Sequence, residues 1–190
     1  LNMYYQALQQ NMYQYNEFNL VPIRMEDRWD IMHWRNEQIY HLRQDKPLTK
    51  VDQDAYFEHV VKKLFDQVQP NQILFSFLEN GVCIGYGGLV HINWIDKNAE
   101  ISFIINTDLE KEGFQKYWKI FLNLIEQVAF TDLKLHKIST YALDLRPKLY
   151  QVLDYSGFNK EAVLKMHCLF NLEYIDVVIH SKFNVQLFEN

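Results

Sequence analysis

The chain has 190 residues, 48% hydrophobic and 23% charged, with a formal net charge of −5, which suits one soluble globular domain. That negative charge argues against a nucleic-acid partner, which needs a basic stripe, but leaves room for one phosphate-bearing ligand at a local site. No apolar run approaches the roughly 18–20 residues of a membrane span, and Leu1 to Gln14 lack the basic start and apolar core of a signal peptide, so a cytoplasmic chain with no membrane partner is expected.

Phe18 to Arg24 reads as a first strand. Glu26 and Asp27 supply the acidic residues that a helix start favours, and apolar periodicity carries that helix to Trp34, with Asn36 as its break. A short helix is expected over Gln38 to Leu42. Asp52 reads as an N-cap ahead of Phe57, Val60, Val61, Leu64, Phe65 and Val68, the three-and-four spacing of an amphipathic helix.

The period then changes to two. Gln72 to Glu79 is a strand, Asn80-Gly81 a hairpin turn whose two central positions need positive φ, and Val82 to Asn93 the returning strand. Gly85, Gly87 and Gly88 within that strand point to a bulge or a close backbone approach. After a turn at Trp94 to Lys97, Asn98 to Ile105 forms another strand. A long helix is expected from Gly113 to Phe130, with Phe114, Trp118, Phe121, Leu122, Ile125, Val128 and Ala129 on one face. Lys137 to Leu143 is a strand, Pro147 opens a helix reaching Tyr155, and Gly157 suits its C-terminal cap. Ala162 to Phe170 and Tyr174 to His180 close the chain as a hairpin turning near Asn171. This order predicts an α/β (α+β) fold, a mixed sheet covered by helices.

Cys83 and Cys168 both lie in apolar stretches and read as buried free thiols. Two cysteines are too few for a structural zinc site, and the seven histidines show no ligand spacing, so no metal is expected.

Four segments in order, Trp34-Arg35-Asn36, Ile84-Gly85-Tyr86-Gly87-Gly88-Leu89, Ala99-Glu100-Ile101-Ser102-Phe103-Ile104-Ile105 and Ser156-Gly157-Phe158-Asn159-Lys160-Glu161-Ala162, resemble the GNAT superfamily of N-acetyltransferases. Within it they look like the branch that holds ribosomal-protein and amino-sugar acetyltransferases. The resemblance covers about Phe18 to Phe183. It implies a mixed, mostly antiparallel twisted sheet of about seven strands flanked by helices. The domain would run over residues 18–183, between an N-terminal extension (1–17) and a C-terminal tail (184–190).

The resemblance also implies acetyl-CoA as acetyl donor. Phe103, Ile104 and Ile105 would lie beside its pantetheine arm, and Lys111, Gly113, Phe114, Gln115 and Lys116 at its pyrophosphate. In the family, backbone N–H groups and a helix N-terminus hold that pyrophosphate. Here the aligned turn is Glu110-Lys111-Glu112-Gly113-Phe114-Gln115, with one glycine, two carboxylates that would repel phosphate, and Lys111 and Lys116 to offset them. Arg146 stands where the family often has asparagine, and Leu153 where it often has a tyrosine that protonates the leaving thiolate. Tyr150, one helical turn earlier, is the candidate for that role, or else an aromatic packing residue.

Attack on a thioester requires a neutral amine, and a lysine-like amine has a pKa of about 10.4, so a base must take its proton. Glu100 is the first candidate, sharing a strand face with Ser102 and Ile104, as an acidic residue on this strand does in parts of the family. His91 is the second, on the adjacent strand and sharing a face with Leu89 and Asn93. Trp34, Arg35, Asn36, His41 and Arg43 fall in the segment that covers the acceptor pocket in the family. Their arginines suit a nucleotide-linked amino sugar or an acidic protein patch, and equally read as solvated residues beside a packing tryptophan. The expected function is acetyl transfer to a small-molecule primary amine by direct attack in a ternary complex, with an amino sugar or sugar nucleotide as the leading acceptor. A protein N-terminal amine and a non-catalytic binding module are the alternatives. The sequence leaves the oligomeric state open; an exposed final strand or the aromatic-rich N-terminus could pair two chains as a homodimer.

Overall fold

The Asn80-Gly81 turn forms with φ of 49° and 81°, joining β3 (Ile73–Glu79) to β4 (Val82–Asn93). These strands sit in the middle of an eight-stranded sheet in this computed structural model, which describes residues 3–188. The outermost positions of the expected extension and tail, 1–2 and 189–190, lie outside the described residues. The other strands are β1 (Tyr13–Tyr15), β2 (Phe18–Pro22), β5 (Asn98–Ile105), β6 (Lys137–Leu143), β7 (Asn159–Phe170) and β8 (Glu173–Phe183). Their spatial order is β1-β2-β3-β4-β5-β6-β8-β7. Every neighbouring pair is antiparallel except β5 and β6, which run parallel.

That one parallel pair positions the site. β5 and β6 hold register only from Asn98↔Lys137 to Glu100↔Ser139. Beyond Glu100 each strand keeps its outer partner, β5 pairing with β4 and β6 with β8, while the two part from one another. A wedge opens between them.

Among the described residues, four helices flank the sheet. α1 (Arg28–Glu37) follows a 3₁₀ turn at Met25–Asp27 and runs through Asn36 instead of ending there. The Asn36 amide donates to Leu48 O at 2.9 Å and accepts from Leu48 N at 2.7 Å, so it ties down the following loop. The expected short helix is a single 3₁₀ turn, Ile39–His41. α2 (Lys50–Tyr56) is capped by Thr49, and Asp52 is the third residue of that capping box, not its N-cap. It continues through a π-helical segment, Phe57–Val61, to a last turn at Lys62–Leu64.

α3 (Thr107–Glu126) begins well ahead of Gly113, because Asn106 caps it by accepting from Asp108 N at 2.9 Å and Leu109 N at 3.4 Å. Gly113, with φ −139° and ψ 33°, is a kink inside this helix. α4 (Pro147–Tyr155) follows β6. Among the described residues no helix is long and apolar enough to cross a membrane.

The face of β5 that carries Phe103 packs on α3. Phe103 stacks on Phe121 with ring centroids 3.9 Å apart and meets Trp118 edge-on at 4.9 Å. The segment before β2 is part of this core. Tyr5 is buried and stacked on Phe65 at 4.3 Å, and its hydroxyl donates to Leu74 O (2.8 Å) and accepts from Leu74 N (3.0 Å). β1, from the same segment, adds the eighth strand to an expected seven.

β4 carries one extra residue near its end. Val90 pairs with Glu100 and Asn93 with Asn98, three steps on β4 against two on β5. His91 takes up the difference with φ of 49°. The strict alternation that would put it on a face with Leu89 and Asn93 does not hold there.

Candidate active site

The wedge between β5 and β6 is a cavity of about 550 Å³. Its walls are the parted strands, with Ser102, Phe103 and Ile104 on one side and Thr140 to Leu143 on the other. The segment from Arg35 to Arg43 covers it, and Arg146 and Leu149 close its far end.

At the root of the wedge Glu100 and His91 come together, as their adjacent strands suggested. Glu100 Oε1 takes a hydrogen bond from Arg43 Nη2, and its Oε2 lies 3.9 Å from His91 Nε2. The Glu100 side chain is 17% exposed and that of His91 68%, so the carboxylate is set back and the imidazole meets solvent. The Arg43 guanidinium also lies 4.1 Å over the Tyr141 ring, which fixes its plane.

Of the five residues expected at the acceptor side, three line the cavity: Arg35, His41 and Arg43. Trp34 does not; it is 6% exposed and belongs to the core under α1. Asn36 does not either, being committed to the loop at Leu48. Arg35 donates to the Tyr86 hydroxyl and, through Nε, to Gln44 Oε1 at 3.0 Å.

His41 is buried, with Nε2 3.2 Å from Gln38 Oε1. Burial, helped by the Arg146 charge, pushes its pKa down from 6.5 to about 3, so the ring is neutral. Between those values an unfolded chain binds a proton that the folded chain refuses, and stability therefore falls as pH drops through that window. Melting midpoints taken from about pH 7 to about pH 4 are expected to fall less steeply in His41→Gln than in the parent.

The structure places Tyr150 outside the cavity. Its hydroxyl donates to Asp144 Oδ1 at 2.7 Å, and its ring stacks on His180 with centroids 5.2 Å apart. Burial and the Asp144 carboxylate both raise its pKa, so this phenol keeps its proton within a structural contact. The tyrosine that does line the cavity is Tyr141 on β6, its hydroxyl 3.5 Å from Cys168 Sγ. Burial, then the Cys168 contact, pushes Tyr141 up to about 12. Thr140, beside it, is buried, and its Oγ1 has no partner among the described residues.

A second cavity, of about 620 Å³, continues past Arg146, which lines both. It lies between the start of α3 and the start of α4, with Lys111 and Phe114 on one side and Pro147 and Lys148 on the other. Arg146 Nη1 and Glu110 Oε1 pair across it at 3.2 Å. Burial raises the Glu110 pKa and lowers that of Arg146, each effect opposed by the partner's charge.

The fit to a coenzyme A arm is therefore split. The wedge offers a free strand edge at Phe103 and Ile104 and an unsatisfied Thr140 hydroxyl, as a pantetheine needs. The Phe103 ring itself faces the core, and Ile105 O accepts from Gln38 Nε2 at 2.7 Å, which leaves Ile105 outside the cavity wall. At the phosphate end, the expected helix start at Gly113 lies inside α3, and the true start is capped by Asn106. Gln115 Nε2 bonds Lys148 O at 3.2 Å, and Lys116 sits 3.8 Å from Glu79, so neither lines this mouth. Three side-chain cations line this cavity: Lys111, Arg146 and Lys148. Lys148 carries no signal in the sequence, and Arg146 stands out there only as a departure from the family's asparagine, because the residues that they face lie on α3, across the cavity.

A family model described as an acetyltransferase (GNAT) domain matches residues 20–179. Spermidine N(1)-acetyltransferase of Vibrio cholerae serotype O1 is 31% identical over 104 residues, 53% of this chain and 58% of that protein, so the match spans little more than half the relative's length. The solved structure of the spermidine N-acetyltransferase from Vibrio cholerae in complex with CoA and spermine superposes with a TM-score of 0.77 at 22% identity, covering 92% of this chain and all of that one (100%). A dodecameric structure of the enzyme from the same organism, in an intermediate state, gives 0.73 at 23% identity over 92% and 98%. At such identity these likenesses establish the fold.

Proposed function

This chain belongs to the acetyltransferase (GNAT) domain family, and we propose that it moves an acetyl group from acetyl-CoA to a small-molecule primary amine by direct attack. The observation that carries this reading is the parting of β5 from β6 directly past Glu100. It leaves a carboxylate, a solvent-facing imidazole and an unpartnered strand edge around one cavity.

Bound acetyl-CoA supplies the activated thioester. Glu100 Oε2 accepts the proton of the incoming ammonium, and His91 relays it to solvent. Past Glu100, alternate backbone N–H groups on the free edge of β5 turn toward the wedge, where a developing oxyanion is stabilised. A leaving thiol of pKa about 8.5 departs without much help at neutral pH. Leu153 in place of a tyrosine is therefore compatible with turnover. Lys111, Arg146 and Lys148 are the groups that would hold the phosphates.

The amino-sugar branch suggested by the four sequence segments is not the one these relatives represent, since they are named for a polyamine. Acetyl-CoA at about 100 times its Kd is expected to raise the melting midpoint, through roughly 2.7 kcal/mol of linkage, by about 5–10 °C for a chain of this size. No shift at saturation would overturn the proposal. The non-catalytic alternative draws on Glu110, Glu112 and Leu153; its mark would be a melting shift with no CoA release for any amine.

A further inference from the structure

We infer that the acceptor is an amine that also carries a negative charge, a carboxylate or a phosphate, held by the Arg35 guanidinium. This rests on the acetyl-transfer reading and adds the class of acceptor.

The charges around the wedge carry the argument. Three guanidinium groups line it, from Arg35, Arg43 and Arg146, against one carboxylate, Glu100. Arg43 is paired with Glu100, and Arg146 with Glu110 of the adjoining cavity. Arg35 has no carboxylate partner among the described residues. Its two bonds go to neutral oxygens, the Tyr86 hydroxyl and the Gln44 amide, and its Nη2 has no partner among the described residues. The other titratable groups that face the cavity supply no fixed anion: His41 is neutral, His91 stands beside Glu100, and Tyr141 titrates at about 12. Asn71, Gln72, Ser102 and Thr140 are uncharged.

With Glu110 of the adjoining cavity set against Arg146 and Glu100 against Arg43, the wedge carries one positive charge that no carboxylate balances. A half-buried guanidinium with an open donor is a ready partner for a planar or tetrahedral oxyanion. A polyamine would bring two or more further cations into a site whose single carboxylate is already engaged by Arg43. Like charges at such range in a cavity of lowered dielectric repel. The division of labour follows: Glu100 receives the ammonium end, and Arg35 the anionic end. On this ground the chain departs from its spermidine-named relatives in acceptor while sharing their fold.

The test measures CoA release with acetyl-CoA and four classes of primary amine: carboxylated (β-alanine, γ-aminobutyrate), phosphorylated (O-phosphoethanolamine), one with no charged group besides the amine (ethanolamine) and polyamine (spermidine). The expected result is a kcat/KM at least tenfold higher for one anionic class than for ethanolamine or spermidine. Which anionic class leads tells carboxylate from phosphate. Arg35→Gln is expected to raise KM for that amine tenfold or more with kcat within about twofold, an outcome a merely structural arginine would not give. Arg35→Lys, which keeps charge but loses the fork, should fall between, and serves alone if the glutamine variant does not fold. Spermidine or ethanolamine as best substrate overturns this inference and leaves acetyl transfer standing. Absence of CoA release with every class overturns both.

Discussion

Glu100→Gln is expected to lower kcat by about 10²- to 10³-fold, the usual contribution of a positioned general base. Glutamine keeps the size of the side chain and can still accept a hydrogen bond from Arg43, but it has no affinity for the amine's proton. The fold should tolerate the change. The Arg43 side chain is 50% exposed, so the lost ion pair contributes little to stability. The melting midpoint and the KM for acetyl-CoA are expected to stay near those of the parent, which separates a chemical defect from a structural one. Raising the pH toward the pKa of the acceptor amine should restore part of the rate, because a growing share of acceptor then arrives already neutral. Parent-like turnover of the variant near neutral pH would clear Glu100 of the role and leave His91 as the remaining candidate.

Gly88→Ala is expected to be the most damaging small substitution in the sheet. An added Cβ would stand 1.9 Å from Ile73 O and 3.0 Å from Leu74 Cα. Both are backbone atoms of β3, where Leu74 pairs with Gly88, so no side-chain rotation relieves the clash. The strands must separate in the middle of the sheet, next to the Tyr86–Leu89 stretch that pairs with β5. A loss of about 3–5 kcal/mol is expected. For a chain of this length that is roughly 10–15 °C in the melting midpoint. A midpoint within two or three degrees of the parent would mean that β3 and β4 do not pair in this register.

The centre of the sheet was the most legible part of the sequence. β4 and β5 begin and end where the period-two runs do, because the Asn80-Gly81 turn and the Asn98 start are both marked by local chemistry. The glycines of β4 signalled a close approach, and the neighbouring backbones are within 3 Å of where their side chains would be. Local signals failed where tertiary partners decide. A left-handed His91 breaks the alternation that assigned its face, and nothing in Val90-His91-Ile92 announces it. Tyr150 has the right helical offset to replace a missing acid, yet Asp144 and His180 hold it elsewhere. The glycine of the Gly113 turn marks a kink, not a start, and the helix begins earlier because the Asn106 side chain caps it. Arg146 gained its meaning from Glu110, thirty-six residues away in sequence and across the cavity mouth. Tyr141 and Thr140 carry no local mark in the sequence, and only the parting of β5 from β6 brings them to a cavity.

The Tyr5 contact bears on what counts as a unit in this protein. The stretch that matches the family begins at residue 20, after Tyr5, Leu8 and Tyr13 have already entered the core. Cut at that boundary, the chain would bare Phe65 and Phe75 where aromatic rings now cover them, and strip Leu74 of both its hydroxyl contacts. The segment that matches the family is thus shorter than what must fold together. The N-terminal stretch therefore belongs to the folding unit although it lies outside the family match.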